Sequence, residues 1–186
     1  MKPLIIGHIL LIICCVFYLA WWCFSFRPGF EESRVTGLPG LLLIITTIVG
    51  LSGAGLSIIG INHPGNRQPF ISAVVVVVAG IALYVLLFYV TSIIMHRQIT
   101  TELILIIGWF VLEILSYQAA YSMEQIDRSN TVFLFFTATL AAITSLFFYL
   151  QYYRVSAIRG FIYGMIPLIT EALCMILFLI VCRKKV

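Results

Sequence analysis

The chain has 186 residues, of which 62% are hydrophobic and only 10% are charged, and its formal net charge is +4. A soluble domain carries about 25% charged residues, so this chain lacks the polar side chains that it would need to cover itself in water. We therefore expect the lipid bilayer to be its solvent. The small basic excess lies at segment ends and in connectors, which does not favour binding to nucleic acid.

Six apolar segments are long enough to cross a membrane, because about 20 apolar residues in a helix span a hydrocarbon core of about 30 Å. The longest connector, residues 27–37, has 11 residues, which leaves no room for a soluble catalytic domain. The segments also lack the alternation of apolar and polar residues that membrane strands show. We predict an all-α integral membrane protein, a bundle of six transmembrane helices that forms a single transmembrane domain over residues 1–186. The predicted spans are 3–26, 38–61, 70–95, 99–121, 131–153 and 160–182.

The first segment is too long for the apolar region of a signal peptide, and no small-residue cleavage site follows it, so we predict that it is retained. His8 lies near its start, where we expect it to reach the membrane interface. All cysteines fall within predicted spans, without the spacing of a redox or zinc motif. We interpret them as apolar side chains and predict neither a metal site nor a cofactor. They are Cys14, Cys15, Cys23, Cys174 and Cys182.

The second segment carries small residues at spacings of three, four and three, which place Gly50, Gly53, Ser57 and Gly60 on one face of a helix. Small residues allow two membrane helices to approach closely. We interpret this face as a packing surface within the protein. The alternative is a docking surface for a partner subunit or for a second copy of the chain.

The fourth segment holds Glu113 near its middle, with Trp109 and Tyr117 one helical turn away on the same face. A charged side chain at the centre of a bilayer costs about 2.5–3.5 kcal/mol on insertion scales. A face with this composition is too polar for lipid. We expect it to point into the bundle or towards a water-filled cavity.

The fifth segment follows the connector EQIDRSN, in which Ser129 or Asn130 is predicted to cap the helix. One of its faces carries small, weakly polar residues, including Thr137 and Thr144. A face of this kind suits packing against an acidic neighbour.

The sixth segment places Glu171 near its centre, beside Thr170 and four residues after Pro167. A proline inside a helix removes a backbone hydrogen bond and favours a kink, and bent helices at mid-depth are where transporters hold ions and substrates. No lysine or arginine lies at mid-depth in any predicted span. We therefore expect the two glutamates to be protonated or to meet a cation. The predicted binding residues are Glu113, Glu171, Trp109, Tyr117 and Thr170.

Shifting the chain by 94 residues aligns residues 8–19 with 102–113 and three helices with three. This alignment raises the hypothesis of two inverted three-helix repeats. Basic residues divide almost evenly between the two sides of the membrane. The cluster at 183–185 favours both termini on the cytoplasmic side of what we expect to be a bacterial plasma membrane.

Three functions fit these patterns. The leading hypothesis is a small polytopic transport protein that binds a cation or a small solute at mid-membrane carboxylates between helices 4, 5 and 6. The second is a non-catalytic structural or assembly subunit of a membrane complex that uses the small-residue face of helix 2. The third is an intramembrane enzyme on a lipid-like substrate, with one glutamate as acid and the other as base. No nucleophile motif is present, so no catalytic residue is predicted.

Overall fold

The computed structural model describes residues 2–26, 37–62, 70–94, 96, 100–152 and 155–183, except for the side chains of residues 94, 100–102 and 157. The described part of the chain forms six α-helices, each long and apolar enough to cross a membrane. This finding confirms the prediction of six apolar helices. They are α1 (Lys2–Ser25), α2 (Gly37–Ile61), α3 (Phe70–Ile94), α4 (Thr100–Ser122), α5 (Arg128–Tyr152) and α6 (Ala157–Arg183).

The helix boundaries lie within three residues of the predicted spans, and α5 shows why one of them moved. The side chain of Asp127 accepts a hydrogen bond of 2.8 Å from the backbone N–H of Asn130. This is the geometry of a helix N-cap, in which a short polar side chain pairs with a free N–H of the first turn. The prediction that Ser129 or Asn130 caps the helix was wrong, because both lie inside the turn that Asp127 closes.

Replacing Asp127 with alanine is expected to lower the free energy of unfolding by about 1 kcal/mol, since the cap bond is lost. Asparagine at the same position should keep most of the stability. Unfolding of the purified protein in detergent, followed by circular dichroism, measures the difference. The exposed Ser129 provides the control: Ser129→Ala should leave stability unchanged, and a larger loss there than at Asp127 would contradict this cap.

The central element of the bundle is α4. Half of its membrane window is buried inside the protein, against 6% for α3. Among the described residues, α1, α2, α4 and α6 surround the interior, α5 packs against α4 and α6, and α3 packs on the outer side of α4. A side chain on the inner face of α4 is therefore enclosed by other helices.

The small-residue face of α2 packs against α1. A Cβ atom built on Gly60 would lie 2.5 Å from the backbone nitrogen of Leu4, and one on Gly53 would lie 3.0 Å from the carbonyl oxygen of Gly7. The Oγ atom of Ser57 lies against Gly7, and Gly50 faces the Cys14 side chain. All four residues of the predicted face are thus in contact with α1 of the same chain.

The N-terminal half of α6 is tied to the C-terminal end of α1. The Trp22 indole N–H donates to the carbonyl oxygen of Phe161 at 3.0 Å, and its ring lies against Gly164, where a Cβ atom would clash with it. Further along, the ring of Phe178 meets that of His8 with centroids 4.6 Å apart. The two contacts are 14 residues apart on each helix (22 − 8 and 178 − 164). The two helices are therefore antiparallel, and their register brings Phe178 to His8.

The packing of the helices gives no support to an inverted repeat. A repeat of helices 1–3 in helices 4–6 would make the contact of α2 with α3 resemble that of α5 with α6. In the described residues α5 and α6 pack extensively, whereas α2 and α3 are not among the helix pairs with substantial contact. The repeat stays a hypothesis from the sequence.

Candidate functional site

The polar centre of the bundle is a contact between His8 of α1 and Glu113 of α4. The His8 Nε2 atom lies 3.3 Å from Glu113 Oε1, and both side chains are fully buried, with 0% exposure. The expectation that His8 reaches the membrane interface was wrong. His8 is six residues into α1, about 9 Å along its axis, and it points inward. The sequence feature that could have indicated this role is that His8 is the one histidine within the predicted spans.

The ring of His8 is held by α1 itself and by α2. Its Nδ1 atom lies 2.9 Å from the carbonyl oxygen of Leu4 and 3.5 Å from Oγ of Ser57. A carbonyl oxygen can only accept a hydrogen bond, so Nδ1 carries a hydrogen and donates it. This contact directs the other ring nitrogen, Nε2, at Glu113. The Leu4 carbonyl of the same helix thus orients the imidazole, and the close approach of α1 and α2 places Ser57 beside it.

Glu113 shares its face of α4 with Trp109 and Tyr117, one turn away on either side. Tyr117 is 1% exposed, and its ring packs against Phe178 with centroids 5.3 Å apart. Phe178 thus contacts both His8 and Tyr117. The face that the sequence singled out therefore points into the bundle and meets aromatic rings of α1 and α6.

Several buried polar atoms at this centre make no hydrogen bond in the described structure. Some of them nevertheless lie near one another: His8 Nε2 is 3.3 Å from Glu113 Oε1, and the Tyr117 hydroxyl interacts with the same carboxyl. Nearly all buried polar atoms in proteins have a partner, so a cluster of unpaired ones needs an explanation. The unpaired atoms are Nε2 of His8, both carboxyl oxygens of Glu113, Tyr117 Oη and Trp109 Nε1.

Glu171 of α6 lies beside this centre. Its side chain is 8% exposed, and it interacts electrostatically with Glu113. Thr170 points elsewhere: its hydroxyl donates to the Pro167 carbonyl at 2.8 Å and lies 3.3 Å from that of Ser145 in α5. The structure therefore brings Glu113, Trp109, Tyr117 and Glu171 together and places Thr170 in the contact between α5 and α6.

Metal binding finds no ready set of ligands in the part of the chain that the structure describes. No group of three or more His, Cys, Asp or Glu side chains is placed to hold an ion there. The side chains of Cys15, Cys174 and Cys182 interact electrostatically with Glu113. All three are free thiols. What the centre offers is a carboxyl group with free oxygens, an imidazole and aromatic rings.

The fold and the site define a bundle of six helices, each long and apolar enough to cross a membrane, around a buried polar centre. No protein-family model matches the chain, and no curated protein or solved structure matches it significantly. The function is therefore inferred from the geometry of the site.

Proposed function

We propose that the protein is a small membrane transport protein that binds a cation or a small solute at Glu113. One observation carries this proposal: Glu113 is fully buried, and neither of its carboxyl oxygens makes a hydrogen bond of regular geometry, although His8 Nε2 lies 3.3 Å away and the Tyr117 hydroxyl interacts with the same carboxyl. A carboxyl that only joined helices would be fully paired, because unpaired polar groups are costly in an apolar interior. A carboxyl left incompletely paired for a ligand explains the cost.

The proposed site lies between α1, α4 and α6, with α5 as support. α1 contributes His8, which the sequence-based site between helices 4, 5 and 6 did not include. α6 contributes Glu171 and Phe178. α5 contacts α6 beside the site, where the thiol of Cys174 lies 3.7 Å from the Thr137 carbonyl oxygen.

Ligand entry requires a change of conformation, because the site is closed in the described structure. Pro167 lies within α6, four residues before Glu171. It has no backbone N–H to donate, so α6 can bend there more easily than a regular helix. A bend would move Glu171 and Phe178 relative to the part of α6 that Trp22 holds, and would open the site on one side.

The two alternative functions find less support. An assembly subunit that docks through the small-residue face of α2 would need that face free, and it packs against α1. An intramembrane enzyme would need both carboxylates at a lipid-accessible cleft, and Glu113 is fully enclosed. Location in a bacterial plasma membrane, with both termini in the cytoplasm, remains a prediction from the sequence.

Labelling with a hydrophobic carbodiimide tests the proposal, because this reagent reacts with protonated carboxyls in apolar surroundings. We expect adducts at Glu113 or Glu171 by mass spectrometry, and lower labelling in the presence of a ligand. The additives are sodium, potassium and a panel of small organic amines. Glu124, which is exposed in the α4–α5 connection, is the internal control and should not react.

Protection of either glutamate by one additive, at a concentration that leaves the labelling of unrelated sites unchanged, would support transport. Two results would contradict the proposal. One is that neither glutamate reacts at any pH. The other is that labelling of Glu113 and Glu171 ignores every additive, which would favour carboxyls that serve only helix packing.

A further inference from the structure

We infer that His8 and Glu113 bind one shared proton between Nε2 and the carboxyl group, so that the ligand of the closed site is a proton. This inference deepens the proposed function and rests on it for its role in transport. It makes His8 a binding residue of the site. Three features of the contact support it.

The first feature is the geometry of the two atoms. The hydrogen on Nδ1 faces the Leu4 carbonyl, so it is not the one that lies towards Glu113. Nε2 and Oε1 are 3.3 Å apart. Without a proton between them, two lone pairs would face each other and repel. With a proton on each, two hydrogens would face each other. One proton makes the contact attractive.

The second feature is the charge. With one proton, the pair is either an imidazolium and a carboxylate or a neutral imidazole and a carboxylic acid. Its net charge is zero in both forms, and transfer breaks one N–H bond as it forms one O–H bond. No proton would leave a buried charge of −1, and two protons a charge of +1. An apolar interior penalises both charged states strongly.

The third feature is the lack of room. Nε2 and both carboxyl oxygens are buried without hydrogen-bond partners, and both residues have 0% exposure. A sphere the size of a water molecule therefore does not fit against them in this conformation. A proton needs no such space, whereas any larger ligand needs the site to open.

Of the titratable groups near Glu113, His8 is the base whose nitrogen is placed against the carboxyl, at 3.3 Å. Tyr117 of α4 interacts with the same carboxyl as a hydrogen-bond donor. Cys15 of α1 and Glu171, Cys174 and Cys182 of α6 interact with Glu113 electrostatically. Ser57 of α2 contacts the His8 ring and does not titrate. His8 is therefore the partner that shares the proton with Glu113.

The shared proton has a consequence for transport. Its release leaves one negative charge in the bundle, which a singly charged cation can neutralise. We therefore expect the site to exchange one proton for one such cation.

Nitrogen-15 NMR of His8 tests the shared proton directly. The protein is labelled on histidine in a His63→Gln, His96→Gln background, which leaves His8 as the one histidine. We expect the Nε2 resonance to be shifted towards that of a protonated nitrogen. In Glu113→Met, which has no carboxyl to share the proton, the resonance should move to the position of a bare nitrogen. Glu124→Gln, at an exposed position in the α4–α5 connection, is the control and should leave it unchanged.

An Nε2 resonance that stays at the bare-nitrogen position and is identical with and without the Glu113 carboxyl would overturn the inference, because a shared proton shifts that resonance in both of its forms. If Glu113→Met fails to fold, Glu113→Asp replaces it, because the carboxyl retreats by one methylene and a partial shift in the same direction is expected. A shared proton without any protection in the carbodiimide experiment would leave this inference standing and remove the transport proposal. Protection of a glutamate in the carbodiimide experiment, together with a bare Nε2, would leave the transport proposal standing and remove this inference.

Discussion

Replacing Gly60 with alanine is expected to destabilise the protein by about 3 kcal/mol, at the upper end of the usual cost of overpacking. The new Cβ atom would lie 2.5 Å from the backbone nitrogen and 2.6 Å from Cα of Leu4. Backbone atoms cannot rotate away as a side chain does, so α1 as a whole must retreat from α2. Because the Leu4 carbonyl also holds the His8 ring, the same shift would displace His8 from Glu113.

Gly55→Ala is the matched control for Gly60→Ala. Gly55 lies on the same helix, and a Cβ atom there has no neighbour within 4 Å. Alanine favours a helix over glycine by about 1 kcal/mol, so this variant should be as stable as the original or slightly more so. The free energies of unfolding in detergent give the comparison. An equal loss at both positions would contradict the close packing of α1 on α2.

Replacing Glu113 with methionine is expected to cost less than about 3 kcal/mol of stability, because His8 Nε2 loses its partner, while it abolishes ligand-dependent behaviour. Methionine has a similar size, and it removes two buried oxygens that accept no hydrogen bond in the described structure. Removing one partner of a buried ion pair costs about 3–5 kcal/mol when it leaves an uncompensated charge, and this cost does not arise here. His8 remains neutral through its Nδ1 hydrogen, so the change leaves no buried charge behind. The measurements are the unfolding free energy and the effect of the protecting additive on the midpoint of thermal unfolding.

The outcome for Glu113→Met separates a ligand site from a packing residue. If Glu113 held the bundle together, its loss should cost about 3–5 kcal/mol, as breaking a buried pair does. Such a loss would contradict a site kept free for a ligand. Tyr121→Phe is the control, because it removes a hydroxyl at an exposed position of the same helix and should leave stability nearly unchanged.

Pro167 divides α6 into a part that contacts Trp22 and a part that contributes to the closed site. Trp22 holds α6 before Pro167, whereas Glu171 and Phe178 come after it. The segment with the carboxyl and the aromatic ring is therefore separated from the Trp22 contact by the residue at which the helix is weakest. Movement of that segment would expose Glu113 and His8 together, since Phe178 contacts the His8 ring.

Composition determined the class of fold, because a chain with so few charged residues cannot be solvated by water. In lipid, backbone N–H and C=O groups must pair within the protein, and helices achieve this within each segment. Local spacing determined more: it placed Trp109, Glu113 and Tyr117 on one face of α4, and Gly53, Ser57 and Gly60 on one face of α2. These inferences hold because helical periodicity is fixed by the backbone. The start of α5 was missed because several polar residues in the connector are equally good caps by type, and only the geometry selects Asp127.

Only the tertiary structure decided which helices meet. His8 and Glu113 are 105 residues apart in the chain (113 − 8), and no local pattern links them. In a soluble protein the apolar stripe of a helix shows which side is buried. In a membrane protein, lipid and interior are equally apolar, so that signal is lost and packing of shapes decides the contacts. The sequence by itself determined six helices and a glutamate that needed a partner. The tertiary structure determined that the partner is His8, because the small residues of α1 and α2 let those helices approach closely enough to orient its ring.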